Sequence, residues 1–360
     1  MPNTPSPFPV LPAFQLPLLA DEAGIATVRA FLVHRRLATP DELLTLERPG
    51  VSNMNCVWRA RLPGRSLILK QARPWVEKYP TIAAPVERTE AEARFYRIAR
   101  RDPGVAARLP AVIDHDAMAH VLVLADLAPA TSLETGYAGT TRLAMPELDD
   151  LAATVTRLHR MPLPTMDAPG RRNHAMRTLN HAHLFDLPLR AEGPFDALLE
   201  AITPGLAGLS RELRADADYV SRVTALGRRY LDHDHPHLIH GDLFLGSLLR
   251  APGGKIMLID PEFSFGGEPE FDLGVCYAHL ILSGHDDAFL ARWLAQTVAV
   301  AGRDATLTRH YAGVEIMRRL IGVAQLPLAR SLPQKAALLT RSRSLLESDR
   351  PSTAPFRHAP

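Results

Sequence analysis

The residues best suited to chemistry in this chain lie between His237 and Glu262. His240-Gly241-Asp242 is followed by Ser247, a short strand over Leu248–Arg250, a Pro252-Gly253-Gly254 turn, a second strand over Lys255–Ile259, and then Asp260-Pro261-Glu262. A hairpin of this kind returns the chain to its starting end, so Asp242 and Ser247 are expected beside Asp260. Oxygen groups from Asp242, Ser247, Asp260 and Glu262 then converge at one mouth. Hard ligands of that type suit Mg²⁺, which takes one or two carboxylates and completes its shell with substrate phosphates. An aspartate, a polar ligand at the end of its loop and an acidic ligand on the next hairpin follow the order of a phosphotransfer loop. A polar hairpin that merely carries acids is the plain alternative. The offset Ser247 and the downstream Asp-x-Glu together favour phosphotransfer.

A phosphotransfer site needs a nucleotide half, and upstream residues supply candidates. Gly50-Val51-Ser52-Asn53-Met54-Asn55 precedes a strand, and Ser52, Asn53 and Asn55 are of types that tolerate tight turns and offer polar contacts to phosphate. Lys70 closes the apolar run Leu67-Ile68-Leu69. Burying an unpaired ammonium is costly, so Lys70 requires an acidic partner. Glu90 on the following helix is the preferred one and Glu92 the rival; i and i+2 occupy different helix faces, so only one can serve. Such a pair would hold the amine against the α- and β-phosphates.

The elements that must position these groups are readable from periodicity. Asp21–Leu37 and Glu87–Arg101 carry helical patterns, while Cys56–Leu62 and Ser66–Gln71 alternate as strands about Pro63-Gly64. Ala119–Leu124 reads as a buried strand and Ala125–Pro129 as a hinge. Helical stretches follow over Glu147–Arg160, Phe195–Ile202, Ala215–Leu231, Asp287–Val300 and His310–Ala324. The expectation is an α+β chain of two lobes. Residues 21–126 would form a small N-terminal nucleotide-binding lobe with an antiparallel sheet, and 127–347 a larger, mainly helical catalytic and substrate lobe. Residues 1–20 and 348–360, rich in proline, would be flexible tails.

Composition excludes several other classes. Lys plus Arg (41) nearly balances Asp plus Glu (39), for a net charge of +2, so no global field exists to hold nucleic acid. The paired arginines at 171–172 and 228–229 read as solvated, and Trp58, Trp75 and Trp293 are not interleaved with basic residues. No apolar run approaches the roughly 18 residues of a membrane span. Cys56 and Cys276 form no C-x-x-C. Without a basic n-region or an apolar h-region at its start, the chain is expected to be soluble and cytoplasmic. The run His233-Asp-His235-Pro236-His237-Leu-Ile-His240 invites a metal reading. Pro236 interrupts the strand and no cysteine joins it, so surface or capping histidines are favoured, with His240 bracing its loop. Trp75 lies in an aromatic loop that either covers a ligand or packs on its own lobe.

Taken together, these motifs resemble those of the kinase family that includes aminoglycoside phosphotransferases and choline kinases, and most of all its 5-methylthioribose kinase branch. The matching pieces are Ser52-Asn53-Met54-Asn55-Cys56-Val57-Trp58, Leu67-Ile68-Leu69-Lys70-Gln71-Ala72, Arg88-Thr89-Glu90, His240-Gly241-Asp242 with Gly246-Ser247, Ile259-Asp260-Pro261-Glu262-Phe263, and Glu315-Ile316-Met317-Arg318-Arg319. Serine at 247, where the wider family mostly has Asn, and the Asp-Pro-Glu acid pair single out that branch. The resemblance implies a two-lobed protein-kinase-like fold and an ATP- and Mg²⁺-dependent small-molecule kinase. Asp242 would be the catalytic aspartate, Asp260 and Glu262 the Mg²⁺ acids with Ser247 beside them, and Lys70 with Glu90 the nucleotide-side pair. An adenine-contacting hinge would fall at Leu124–Leu127, bringing in Leu124 and Asp126, and Arg318 and Arg319 would contact the sugar. Geometry adds a condition to the last assignment. On a helix through Ile316, Leu320, Val323 and Ala324, Arg319 flanks the apolar stripe and Arg318 points nearly opposite. Both reach one ligand only if the helix ends or bends there, or if another segment wraps over it.

Two departures bear on the acceptor: Phe244 stands where the family usually has His, and residues 165–235 show little likeness to the branch. The acceptor implied is a small sugar or alcohol, best a 5-methylthioribose or related 5-modified ribose. A kinase of an amino alcohol or aminoglycoside is the alternative, and a non-catalytic nucleotide-binding module the alternative from another class. The resemblance allows a homodimer, although no sequence feature demands one.

Overall fold

Alternating apolar residues on successive strands build the first part of the molecule, a computed structural model that describes residues 22–50, 52–139, 142–161, 163 and 172–347. The expected tails at 1–20 and 348–360, and Arg171, lie outside the described residues. The chain divides into two compact units. One runs to Tyr96 and takes in Pro110–Ala128; the other comprises Arg97–Leu109 and the chain from Pro129 onward.

In the first unit the elements are α1 (Glu22–His34), β1 (Thr45–Glu47), β2 (Cys56–Leu62), β3 (Arg65–Gln71), the hairpin β4 (Trp75–Val76) and β5 (Tyr79–Ala83), α2 (Arg88–Ala99), β6 (Val112–Asp116) and β7 (Val121–Ala125). A five-stranded antiparallel sheet has the order β1-β2-β3-β7-β6. Side chains alternate across it, so Cys56, Trp58, Ala60, Leu62, Leu67, Leu69, Val121 and Val123 share one face, which buries against Val28, Phe31 and Leu32 of α1. Lys70, one residue on from Leu69, points to the other face.

The second unit is mainly helical. Its elements are α3 (Pro103–Ala106), β8 (Thr131–Ser132), α4 (Met145–Leu158), α5 (His174–His181), α6 (Asp196–Ile202), α7 (Leu206–Arg214), α8 (Ala217–Asp232), β9 (His237–Ile239), β10 (Leu248–Arg250), β11 (Ile256–Leu258), β12 (Phe265–Gly267), α9 (Pro269–Leu282), α10 (Asp287–Leu294), α11 (Ala305–Ile321) and α12 (Leu332–Glu347). Residues 97–109 belong to this unit rather than to the sheet. Asp102 caps α3 and accepts from Arg157 of α4 at 2.9 Å, and Arg108 pairs with Asp150 of α4. Every residue of α9 is buried. It packs closely on α11 because Gly274 has no side chain; a Cβ there would stand 2.6 Å from the Thr308 carbonyl. The helix expected over His310–Ala324 begins earlier, at Ala305. Asp304 caps it by accepting from the amides of Thr306 and Leu307 at 2.8 and 3.0 Å. It ends at Ile321, before Gly322. Among the described residues no helix is long and apolar enough to cross a membrane.

Candidate active site

In the first unit Lys70 sits opposite Val57 and Leu122 in the sheet register. Its side chain is 4% exposed, and Nζ donates to Glu92 Oε1 at 2.8 Å and Oε2 at 2.6 Å. The partner is therefore Glu92, which corrects the expectation of Glu90. Glu92 begins a buried stripe with Phe95, Tyr96 and Ala99 at helical spacing, and Tyr96 donates to it at 3.3 Å. Glu90 lies on a different face, 40% exposed, with His115 Nε2 3.2 Å away.

The loop before β2 is organised by Arg88, whose guanidinium is fully buried. It donates to Asn55 Oδ1 at 2.8 Å, to the Met54 carbonyl at 2.9 Å and to the Arg73 carbonyl at 2.9 Å. Asn55 is thus turned inward and braces the loop, leaving half-buried Ser52 and exposed Asn53 as its outward polar side chains. The Asn53 carbonyl accepts from the Lys78 amide at 3.0 Å, and Arg88 also reaches the Trp75 carbonyl at 3.5 Å. The segment around Trp75 is one arm of the β4–β5 hairpin, tied to its own unit by these contacts.

Leu124 is buried in β7 opposite Ile68. The Asp126 carboxylate accepts from Arg59 Nε at 2.7 Å, Ser66 Oγ at 2.6 Å and the Ala128 amide at 3.1 Å. Burial opposes its charge, yet the hydrogen bonds from Ser66 and Arg59 hold the carboxyl below its usual range. Its side chain is 4% exposed and braces the segment after β7.

In the second unit the loop after β9 is suspended from a buried acid on α9. Asp272 Oδ2 accepts from the His240 amide at 2.6 Å and from His159 Nε2 at 2.9 Å, and Oδ1 accepts from the Gly241 amide at 2.9 Å. Gly241 has φ of +84°, and a Cβ there would lie 2.2 Å from the Phe263 carbonyl. His240 Nε2 bonds the Ile259 carbonyl at 2.9 Å while Nδ1 accepts from the Asp242 amide at 3.4 Å, so His240 braces the loop. Ser247 donates to the Asp242 carbonyl at 2.9 Å, and its own carbonyl accepts from the Ile259 amide at 3.0 Å. Asp242, Ser247 and the residue before Asp260 are thereby tied together.

Asp260 is a non-glycine residue with φ of +63°, heading the short turn Pro261–Phe263 that carries Glu262. Asn173 Nδ2 holds this turn by donating to the carbonyls of Glu262 and Ser264 at 2.9 and 3.1 Å. Ser247, Asp260 and Glu262 are oxygen donors only, which fits Mg²⁺ and its preference for one or two carboxylates plus phosphates. Among the described residues no group of three or more His, Cys, Asp or Glu side chains is placed to hold a metal ion. Within the histidine run, His237 Nδ1 bonds the His159 carbonyl at 2.9 Å and His235 Nε2 lies 3.3 Å from Glu268.

Arg318 and Arg319 occupy the last turn of α11, and the end of the helix satisfies the condition for convergence. Arg318 Nη2 lies 3.1 Å and Arg319 Nη2 3.6 Å from the same atom, Asp242 Oδ1. Both are anchored from behind by Glu315, which accepts from Arg318 Nε at 2.6 Å and Arg319 Nε at 2.7 Å. Burial works against the Glu315 charge, but the two guanidiniums hold its carboxyl well below the usual range. His279 of α9 donates to Glu315 at 2.7 Å, and its other nitrogen meets the Tyr137 hydroxyl. Burial pushes His279 down to about 4 and the Tyr137 phenol well above its ordinary value. Phe244 lies under Arg319, ring centre 4.7 Å from the guanidinium carbon, and its ring is 5.5 Å from that of His279.

Sequence reasoning missed Asp272, His279 and Tyr137 and gave Glu315 no role. The available signal was charge in the wrong place. Asp272 and His279 sit inside an otherwise apolar run, where a polar group must have a partner.

A small antiparallel-sheet unit with a buried lysine–carboxylate pair, and a mainly helical unit in which hydrogen bonds tie the Asp242 loop to Ser247 and Ile259, are of the kind found in small-molecule phosphotransferases of protein-kinase-like fold. The sequence profile of the phosphotransferase enzyme family matches residues 48–309, and the chain belongs to that family. Methylthioribose kinase of Exiguobacterium sibiricum is 26% identical over 351 residues, covering 85% of this chain and 87% of its own. Methylthioribose kinase of Bacillus cereus is 25% identical, covering 76% and 78%. Among solved structures, choline kinase LicA from Streptococcus pneumoniae superposes with a TM-score of 0.51 at 14% identity, covering 89% of this chain and 99% of that one. LicA in complex with AMP gives 0.53 at 14% identity, covering 90% and 98%. At such identity these structures establish the fold.

Proposed function

We propose that the protein transfers the γ-phosphoryl group of ATP to a hydroxyl of a small sugar, 5-methylthioribose or a related 5-modified ribose. The observation that carries this reading is the Asp242 carboxylate flanked by Arg318 and Arg319 at 3.1 and 3.6 Å. Two guanidiniums beside the acceptor position disfavour a cationic amino alcohol or aminoglycoside and suit hydroxyl or anionic oxygens. The methylthioribose kinases of similar sequence support the same acceptor.

Lys70, held by Glu92, would contact the α- and β-phosphates, with Ser52 and Asn53 offering further polar groups from the loop before β2. Leu124 and the backbone after it would line the adenine, with Asp126 bracing that segment. Asp260 and Glu262, with Ser247, would hold Mg²⁺, which neutralises phosphate charge. Asp242 would orient the acceptor hydroxyl and take its proton as the phosphoryl group transfers. Positioning and electrostatic stabilisation supply most of the acceleration in such reactions.

The test is ATP consumption with Mg²⁺ against methylthioribose, other 5-deoxypentoses, choline, homoserine and an aminoglycoside, repeated with Asp242→Ala. Turnover of methylthioribose that falls by about 10²–10⁴ in the variant is expected for loss of a positioned base. A loss below about threefold removes the assignment of Asp242. Turnover of a different member moves the acceptor and keeps the chemistry.

A further inference from the structure

Behind the twin arginines lies a buried line of side chains that reaches no reacting atom. Glu315 and His279 are both fully buried, and the Tyr137 residue is 3% exposed. Each carboxylate oxygen of Glu315 is committed. Oε1 is shared between His279 Nε2 at 2.7 Å and Arg319 Nε at 2.7 Å, and Oε2 takes Arg318 Nε at 2.6 Å. A guanidinium is a rigid plane, so a bond fixed at Nε sets where the Nη groups point. Here one Nη of each arginine points to Asp242 Oδ1. The Tyr137 hydroxyl meets His279 Nδ1. A hydroxyl donating there makes Nδ1 the acceptor and leaves the proton on Nε2, the form that can donate to Glu315.

We propose that Tyr137, His279 and Glu315 are a positioning relay. His279 supplies an Nε2–H to Glu315, and Glu315 aims both arginines at the acceptor. This rests on the reading of the Asp242 mouth as the acceptor site. The relay bonds Arg318 and Arg319 and none of Lys70, Ser247, Asp260 or Glu262, so its effect falls on acceptor binding rather than on nucleotide binding.

The decisive variants are His279→Leu, which removes the donor, and His279→Gln, whose amide can place an N–H near the lost Nε2. With the acceptor that the wild type turns over, His279→Leu should raise the acceptor KM by about tenfold, the scale of one lost charge-assisted hydrogen bond, with the ATP KM within about twofold. His279→Gln should recover most of that loss. Equal rises in both KM values, or no recovery by glutamine, would overturn the relay. A second readout needs no acceptor. The ¹⁵N–¹H signals of Arg318 and Arg319 Nε, assigned with Arg318→Lys and Arg319→Lys, should move or exchange faster in His279→Leu and stay near wild type in His279→Gln. Unchanged signals in His279→Leu would also overturn it. Should the wild type turn over no member of the panel, the acceptor reading fails by itself, and the arginine signals still decide whether His279 sets their geometry.

Discussion

Lys70 Nζ lies 2.6 Å from Glu92 Oε2, and the two side chains are 4% and 1% exposed. The pair is sealed between the sheet and α2. Removing one partner strands the other charge out of water, whereas an exposed pair is worth little.

The first prediction follows from that contrast. Glu92→Gln should lower unfolding free energy by about 3–5 kcal/mol, the scale for breaking a buried pair, and should raise the ATP KM as well. Glu90→Gln, on the exposed face beside His115, should stay within about 0.5 kcal/mol. Urea denaturation of both variants checks this, and a reversed order would return the lysine's partnership to Glu90.

Gly241 carries a second prediction. Its φ of +84° and the Phe263 carbonyl 2.2 Å from any added Cβ leave no room for alanine. Gly241→Ala should therefore cost more than the ~1 kcal/mol typical of Gly/Ala exchanges and push the Asp242 loop out of register. Activity should fall further than the stability loss explains. A variant with wild-type turnover would show that the loop tolerates a different path.

The order of the chemistry-bearing motifs was legible because hairpins and apolar strands leave local marks. Pro63-Gly64 between alternating runs predicts β2 and β3, and Pro252-Gly253-Gly254 predicts β10 and β11. What escaped was the packing of α9 and the partners of its polar residues. α9 is buried on every side, so it carries no amphipathic period and reads only as a short apolar run. Asp272 and His279 stood out only as polar groups inside that apolar run, and what they bond could not be read for the same reason. Their partners come from the loop after β9, from α11 and from Tyr137, and no local pattern reports contacts so distant in sequence. Glu92 was misjudged because two acids two residues apart look alike until the helix face is known. The stripe Glu92, Phe95, Tyr96, Ala99 held that information.

Asp272 gives a third prediction. Its two oxygens accept from the His240 and Gly241 amides and from His159. Asp272→Ala would leave those buried donors unpaired, at roughly 1–3 kcal/mol for each one stranded. The expected result is a marked drop in the urea midpoint together with loss of turnover. Stability within about 0.5 kcal/mol of wild type would mean that the loop is held by something other than this acid.

Phe244 supports Arg319 through its ring face. Phe244→Leu keeps apolar bulk but removes the π-face, a contribution of about 0.5–2 kcal/mol for a desolvated cation. The acceptor KM should rise between about twofold and thirtyfold on that scale, with the ATP KM unmoved. An unchanged acceptor KM would reduce the ring to packing under the loop.

The last prediction concerns pH. Burial pushes His279 down to about 4 from its ordinary value, against the pull of Glu315 and with the cations of Arg318 and Arg319 assisting. Between pH ~4 and ~6.5 the unfolded chain therefore binds a proton at this position that the folded chain refuses, and stability must fall as pH falls through that window. Glu315 also shifts downward, but because the Arg318 and Arg319 guanidiniums favour its charged form rather than because burial disfavours it. Held well below its ordinary range, it contributes stability that is present above the unfolded carboxylate pKa and lost only as pH falls below about 4.5. From pH 6.5 to 5 the difference between wild type and a non-titrating variant thus isolates His279. Urea midpoints of wild type should decline more steeply over that range than those of His279→Gln, approaching a total difference of about 3 kcal/mol across the full window. Parallel slopes would mean that His279 accepts its proton in the folded protein at its ordinary pH, and the prediction would fail.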